Sequence, residues 1–201
     1  NYRLLQQSRA LKSGFIASLI KGSDRQVPVH ELISNYDLCF MSDDFLVMVI
    51  YIERYDPSTF QGMDSFTQYK MIQFIITNVV EELVGQTNQG YMTEIDDLLV
   101  CLVNVKKSGM DEWKNEMLRV INESQEFFVE NYKLYFIAAV SNIHMTVDGI
   151  PEAYNEALKT MEYKRVMGIS NINFYEEING LPKTEYYFPL EKEYQLMNCV
   201  K

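Results

Sequence analysis

The order of hydrophobic patterns along this 201-residue chain predicts an α+β domain. Its expected form is a sheet of split βαβ type with helices packed on it, preceded by an N-terminal helical segment. Three observations carry that expectation. Phe45-Leu46-Val47-Met48-Val49-Ile50-Tyr51-Ile52 is nearly continuous apolar sequence, short and rich in β-branched residues, as a strand buried on both faces should be. Two further strand-like runs, 91–95 and 98–105, are joined by the tight link Asp96-Asp97, which reads as a hairpin. Longer stretches with helical periodicity separate these strands from their neighbours.

Taken in order, residues 2–21 place Leu4, Leu5, Leu11, Phe15, Ile16, Leu19 and Ile20 at spacings of mostly three and four. That is an amphipathic helix, closed by Gly22. A second, shorter helix is expected from Pro28 through Leu32-Ile33, before Met41-Ser42-Asp43-Asp44 breaks the pattern. After the first strand come a polar loop at Asp56-Pro57-Ser58 and a helix over 64–85, with Tyr69, Ile72, Ile76, Val79, Val80 and Leu83 on one stripe. The hairpin follows the turn Thr87-Asn88-Gln89-Gly90. A helix over 110–130 uses Trp113, Met117, Val120, Ile121, Phe127 and Phe128, and Leu134 to Val140 is again a strand. Pro151 opens a helix that Gly168 ends, Ile172 to Tyr175 reads as a last short strand, and Asn179-Gly180 is a turn before Pro182. The order after residue 44 is β-α-β-β-α-β-α-β, which predicts antiparallel pairs with the helices on one face.

Composition narrows the function classes. Hydrophobic residues make up 47% and aromatics 13%, a folded composition, and a chain of this length buries about 70% of its unfolded surface without staples. Cys39, Cys101 and Cys199 are far apart and odd in number, which argues against a disulfide framework and for a reducing, cytoplasmic compartment. No apolar run reaches eighteen residues and no signal peptide is visible, so no membrane contact is expected of this piece. The chain begins at Asn1 inside a helical pattern, as an excised piece would, and a membrane anchor upstream in the parent protein is compatible with that. A formal net charge of −10 repels phosphate backbones, and the densest basic cluster, Lys106-Lys107, is too small for a binding patch.

Motifs for chemistry are scarce. His30 and His144 have no metal-ligand spacing and read as surface or capping residues. The chain has no Gly-rich phosphate loop, no Gly-x-Ser-x-Gly and no Cys-x-x-Cys, so no catalytic, cofactor-binding or metal-ligating residue is assigned. The acidic hairpin Glu94-Ile95-Asp96-Asp97 has two readings. It is either a solvated turn, where Asp is favoured for backbone reasons, or a site for a hard cation such as Mg²⁺.

The element order, this hairpin and the segment Gly149-Ile150-Pro151-Glu152-Ala153-Tyr154-Asn155-Glu156-Ala157-Leu158 resemble a GGDEF-type, nucleotide-cyclase-like domain. They are similar in particular to its degenerate form in large AraC-type bacterial transcription regulators. Tyr154 to Leu158, Gly168 and Phe174-Tyr175 match that form's closing pattern, Phe15-Ile16 to Gly22 its lead-in helix, and Tyr186-Tyr187-Phe188-Pro189-Leu190-Glu191-Lys192-Glu193 its connection to DNA-binding helices.

The resemblance implies a ferredoxin-like, nucleotide-cyclase-like sheet and a division into a helical connector (1–43), a degenerate GGDEF-like domain (44–180) and a linker (181–201) towards a DNA-binding domain outside this chain. Active diguanylate cyclases carry two glycines and an acidic metal ligand at the hairpin, and Asp-x-Asp at the end of the first strand. Here the matching stretch is Glu94-Ile95-Asp96-Asp97-Leu98, with both glycines gone, and Tyr51-Ile52-Glu53 puts Tyr51 at a ligand position. The resemblance therefore implies a domain that is not an enzyme and needs no cofactor, relaying a signal from an upstream sensor to helix-turn-helix units in an AraC-family regulator. DNA would be touched only by the downstream domain, and Leu4 and Leu11 on the N-terminal helix could pair two copies. Two alternatives remain. One is an effector-binding module of a PucR- or CdaR-type regulator, its effector unknown, with Tyr51, Glu53, Tyr55 and Asp96 lining a cleft; the other is a residual cyclase-like enzyme.

Overall fold

The structure is a computed structural model and describes residues 2–22, 38–106, 112–168 and 173–178, with side chains from residue 10 onward. Helix α1 (Tyr2–Lys21) leads to β1 (Asp44–Arg54), a 3₁₀ turn (Pro57–Phe60) and α2 (Ser65–Gly85). The hairpin β2 (Gln89–Ile95) and β3 (Leu98–Asn104) comes next, then α3 (Glu112–Tyr132) and β4 (Tyr135–Val140). The two-residue strand β5 (His144–Met145), a second 3₁₀ turn (Val147–Gly149), α4 (Ile150–Met167) and α5 (Tyr175–Ile178) complete it. No helix among the described residues is long and apolar enough to cross a membrane.

The five-stranded antiparallel sheet runs β2-β3-β1-β4, with β5 pairing the start of β1. That is the split βαβ order: the connections through α2 and α3 each skip a neighbouring strand. β1 sits at the centre, and its residues Phe45 to Ile50 are all at most 1% exposed. Alternation sends Leu46, Met48 and Ile50 to one face, against Ile72, Ile76 and Val80 of α2 and Met117, Val120 and Ile121 of α3. Phe45, Val47 and Val49 face the other way, against Phe15, Ile16, Leu19 and Ile20 of α1 and Ala153, Ala157 and Met161 of α4. Full burial of side chains of this kind is worth roughly 1.5–3 kcal/mol each, so β1 alone anchors both cores.

Three expectations need correction. The two crossover helices do share a face, but helices cover both faces: α1 and α4 fill the one opposite α2 and α3. Ile172 to Tyr175 does not form a strand over its described residues; Phe174 makes a single parallel bridge to Val140, and Tyr175 already begins α5. His144, expected as a surface or capping residue, is a strand residue: it lies in β5 opposite Phe45, its side chain 21% exposed, with Nε2 3.1 Å from the Glu156 carboxylate. The helix expected from Pro28, the turn at Asn179-Gly180 and the linker 181–201 lie outside the described residues.

Polar contacts fix the helices on this frame. Asp64 caps α2 by accepting from Thr67 N at 3.0 Å and Thr67 Oγ1 at 2.6 Å. Arg119 of α3 binds Glu116 at 2.6 Å and Glu123 at 2.8 Å, and donates to Leu83 O at 3.2 Å, which locks α3 to the last turn of α2. Lys164, only 4% exposed, donates to Ala138 O at 3.2 Å and Asn173 Oδ1 at 2.8 Å, joining α4, β4 and the segment after Gly168. Burial lowers its pKa, while the charges of Glu177 and Glu53 act in the opposite direction. The same segment is held by Val140 N donating to Asn173 O at 2.7 Å and by Trp113, edge-on to Phe174 at 5.6 Å.

Two outcomes follow from these contacts. Trp113 is the chain's single tryptophan, so its fluorescence reports directly on the docking of residues 173–178. Phe174→Ala should red-shift that emission and cost about 3 kcal/mol or more in urea unfolding, because Phe174 is 4% exposed. The Glu116 carboxyl is held below its ordinary pKa by the Arg119 hydrogen bond, against a smaller opposing effect of burial. A depressed carboxylate stabilises the fold above its unfolded pKa and loses that contribution as pH falls through the folded value. Glu116→Gln should therefore cost about 1 kcal/mol at pH 7 and progressively less below pH ~4.5, read from urea midpoints across that range.

Candidate functional site

The place to look for chemistry is the end of the sheet where β1 finishes beside the β2–β3 hairpin. Ile50 pairs with Leu99, and Leu99 with Glu94, so the ladder brings Tyr51 and Glu53 to the same end as the hairpin tip. Asp96 and Asp97 at the tip have φ of 49° and 63°, the positive values that a two-residue type I′ connection demands. Asp accepts this conformation better than most residues, which is the local reason an acidic pair sits there.

The carboxylates brought to this end are directed away from one another. Glu94 turns to α2 and binds Lys70 Nζ at 2.9 Å. Burial raises its pKa, but the neighbouring Gln73 amide and the Lys70 ammonium outweigh that and hold it below the ordinary value. The Gln73 Nε2 lies beside this carboxylate without closing a regular hydrogen bond. Asp96 turns to α1, where Lys21 Nζ is 3.3 Å away, and its side chain is 76% exposed. Asp97 is exposed, and its carbonyl accepts from Tyr69 Oη at 3.3 Å. Glu53 lies exposed at an irregularity in the β1–β4 ladder between Ile52 and Arg54, and its charge acts on Lys164 of α4.

The non-acidic members of the set are structural. Ile95 is 2% exposed and Leu98 8%, both packed into the core beneath α1 and α4. Tyr51 is half-buried, with the Arg165 guanidinium 4.2 Å from its ring centroid. Tyr154, on the neighbouring α4, has its hydroxyl pKa raised to about 12 by burial and then by the Asp96 charge.

The metal centre of active cyclases does not fit these residues. It needs carboxylates converging from the hairpin and the strand end. Here the lysines of α1 and α2 each hold one hairpin carboxylate, and Tyr51 occupies the strand end. Among the described residues no three His, Cys, Asp or Glu side chains come together to hold a metal ion. The start of α2 is also unsuited to an anion. Asp64 accepts from Thr67 there, hydrogen bonds that keep its carboxyl below its ordinary pKa, so negative charge already fills that helix N-terminus; Asp56 caps the preceding 3₁₀ turn in the same way through Ser58 N.

An open cleft lies elsewhere, on the outer side of β2 between α1 and α2, with a volume of about 740 Å³. Of the expected hairpin residues only Glu94 borders it; Tyr51, Glu53, Tyr55 and Asp96 do not. The residues that shape it, among them Lys12, Phe74, Asn78 and Glu81, were not candidates in the sequence reading. One signal was present: Phe74 falls off the apolar stripe of α2, and it is 58% exposed.

Comparison with known proteins fits this architecture. No curated protein matches the chain. The family description "GGDEF-like domain" matches residues 39–163, a span from just before β1 into α4 that covers more than half of the sequence. The chain belongs to the GGDEF-like domain family.

Proposed function

We propose that this is a non-catalytic regulatory domain that passes a signal between an upstream sensor and a downstream DNA-binding domain in an AraC-family bacterial transcription regulator. The observation that carries the non-catalytic part is the separate engagement of Glu94 and Asp96 by lysines on different helices. Where an active cyclase has glycines that admit nucleotide, this chain has Glu94 in an ion pair and Ile95 in the core. Opening that corner for a triphosphate would break the pair and expose a buried isoleucine, a loss of roughly 2–3 kcal/mol before any nucleotide is bound.

The relay part rests on continuity. Helix α1 packs through Phe15, Ile16, Leu19 and Ile20 on the sheet and touches the hairpin tip through Lys21 and Asp96. At the far end, Asn173 and Phe174 are tied to β4, α3 and α4. A rigid sheet thus links the two ends of the described chain. Leu11, 60% exposed on α1, is free of the sheet and in heptad register with Leu4, which suits pairing of two copies along the first half of the helix. Self-association of this kind would use the part of α1 ahead of Phe15, since Phe15, Ile16, Leu19 and Ile20 are consumed by the core.

The tests are direct. Purified chain incubated with GTP and Mg²⁺ should yield no cyclic dinucleotide; product formation would end the non-catalytic reading. Light scattering over a concentration series should show a dimer that Leu11→Lys abolishes while leaving the circular dichroism unchanged; a wild-type chain monomeric throughout would remove the pairing. With a net charge of −10 the isolated chain should give no electrophoretic shift with duplex DNA at moderate salt.

A further inference from the structure

The two edges of the sheet are treated differently. The outer edge of β4 is covered, with Val140 donating to Asn173 O at 2.7 Å and bridging to Phe174. The outer edge of β2 is covered by no strand among the described residues. The Met92 N–H points away from β3 and is met by Glu81 Oε1 at 2.8 Å, so a side chain of α2 stands where the carbonyl of a neighbouring strand would stand. Outward-facing residues alternate in an antiparallel ladder, and Gly90 and Glu94 therefore present their backbone groups on the same side as Met92.

This edge forms the floor of the 740 Å³ cleft. The α1 wall offers Lys12, whose ammonium lies 5.1 Å from the Tyr91 ring centroid and has no carboxylate partner among the described residues. The α2 wall offers Phe74, 58% exposed, with Thr77 and Asn78 behind it. Gly90 sits where a Cβ would come within 2.9 Å of Val84 Cγ1, so α2 packs tightly against the strand and the groove keeps its width.

We propose that this cleft docks an extended peptide segment of a partner protein, which adds to β2 as a sixth strand. Strand addition is what an unpaired edge recognises, through its backbone first and its side chains second. The occupant's alternate side chains face opposite walls, which calls for an acidic residue towards Lys12 and apolar residues towards Phe74. A second copy of this chain is a poor occupant at this edge. Its own β2 is recessed between its own α1 and α2, so two such edges cannot close to the strand spacing of about 4.8 Å. On docking, a peptide carbonyl replaces the Glu81 carboxylate on the Met92 N–H.

The test uses the full 201-residue chain as bait for phage-displayed random heptapeptides, followed by affinity measurement on a synthetic copy of the selected sequence. Selected peptides should alternate acidic and apolar positions. N-methylation of alternate peptide residues should weaken binding about tenfold or more in one register and leave it unchanged in the other, because only one set of amides faces β2. Glu94→Pro should weaken binding comparably, since it removes an outward N–H without touching the ladder to β3. Glu94→Ala, which loses the same ion pair but keeps that N–H, should not. Failure to select any peptide above background, indifference to the methylation register, or equal losses in the two Glu94 variants would each overturn the proposal. So would dimerisation of the bare chain that Glu94→Pro abolishes, because it would assign the edge to a second copy.

Discussion

Everything in this domain hangs on the burial of β1 from both sides. A strand with Phe45, Val47 and Val49 on one face and Leu46, Met48 and Ile50 on the other cannot be satisfied by a two-layer arrangement. It requires helices above and below, and that requirement recruits α1 into the fold. Once α1 is committed through Phe15, Ile16, Leu19 and Ile20, Lys21 lies beside the hairpin and engages Asp96. The partner of the hairpin carboxylate is thus a consequence of how the sheet is covered.

The same logic bears on the hairpin corner, which the proposed reading takes as non-catalytic. In a site that binds metal and triphosphate, the hairpin must stay slim and its carboxylate unspent. Here side-chain bulk and positive charge have moved into that corner: Ile95 and Leu98 extend the core to the tip, and Lys70 and Lys21 neutralise the acids. Each substitution favours a rigid, closed end over an open one. In the proposed relay such rigidity serves transmission, because motion at α1 is not dissipated at a mobile tip.

Much of this fold was legible in the sequence because its signals are local. The continuous apolar run of β1, the Asp96-Asp97 link and the helix ended by Gly168 all specify their own conformation within a few residues. The second helical layer was not legible. Periodicity shows that α1 has an apolar face, not what covers it, and the stripe fits a domain core as well as a partner helix. The strand β5 was missed since two residues carry no period, and its pairing with Asp44 and Phe45 depends on a return of the chain across a long sequence separation. The candidate site was half legible. Missing glycines could be read directly, whereas the placement of Lys21 and Lys70 against Asp96 and Glu94 is set by tertiary packing, and the groove beside β2 exists only once α1 and α2 are both in position.

The buried Lys164 has one more consequence. Its ammonium sits in a nearly water-free setting with acceptors from two separate elements, Ala138 of β4 and Asn173 just ahead of α5. Partial withdrawal of that segment would strand a positive charge with half its ligation gone, a state less favourable than either extreme. Residues 173–178 would therefore release as a snap fastener rather than a spring, closed or open with little in between, and in the proposed relay a graded pull would be converted there into a threshold response.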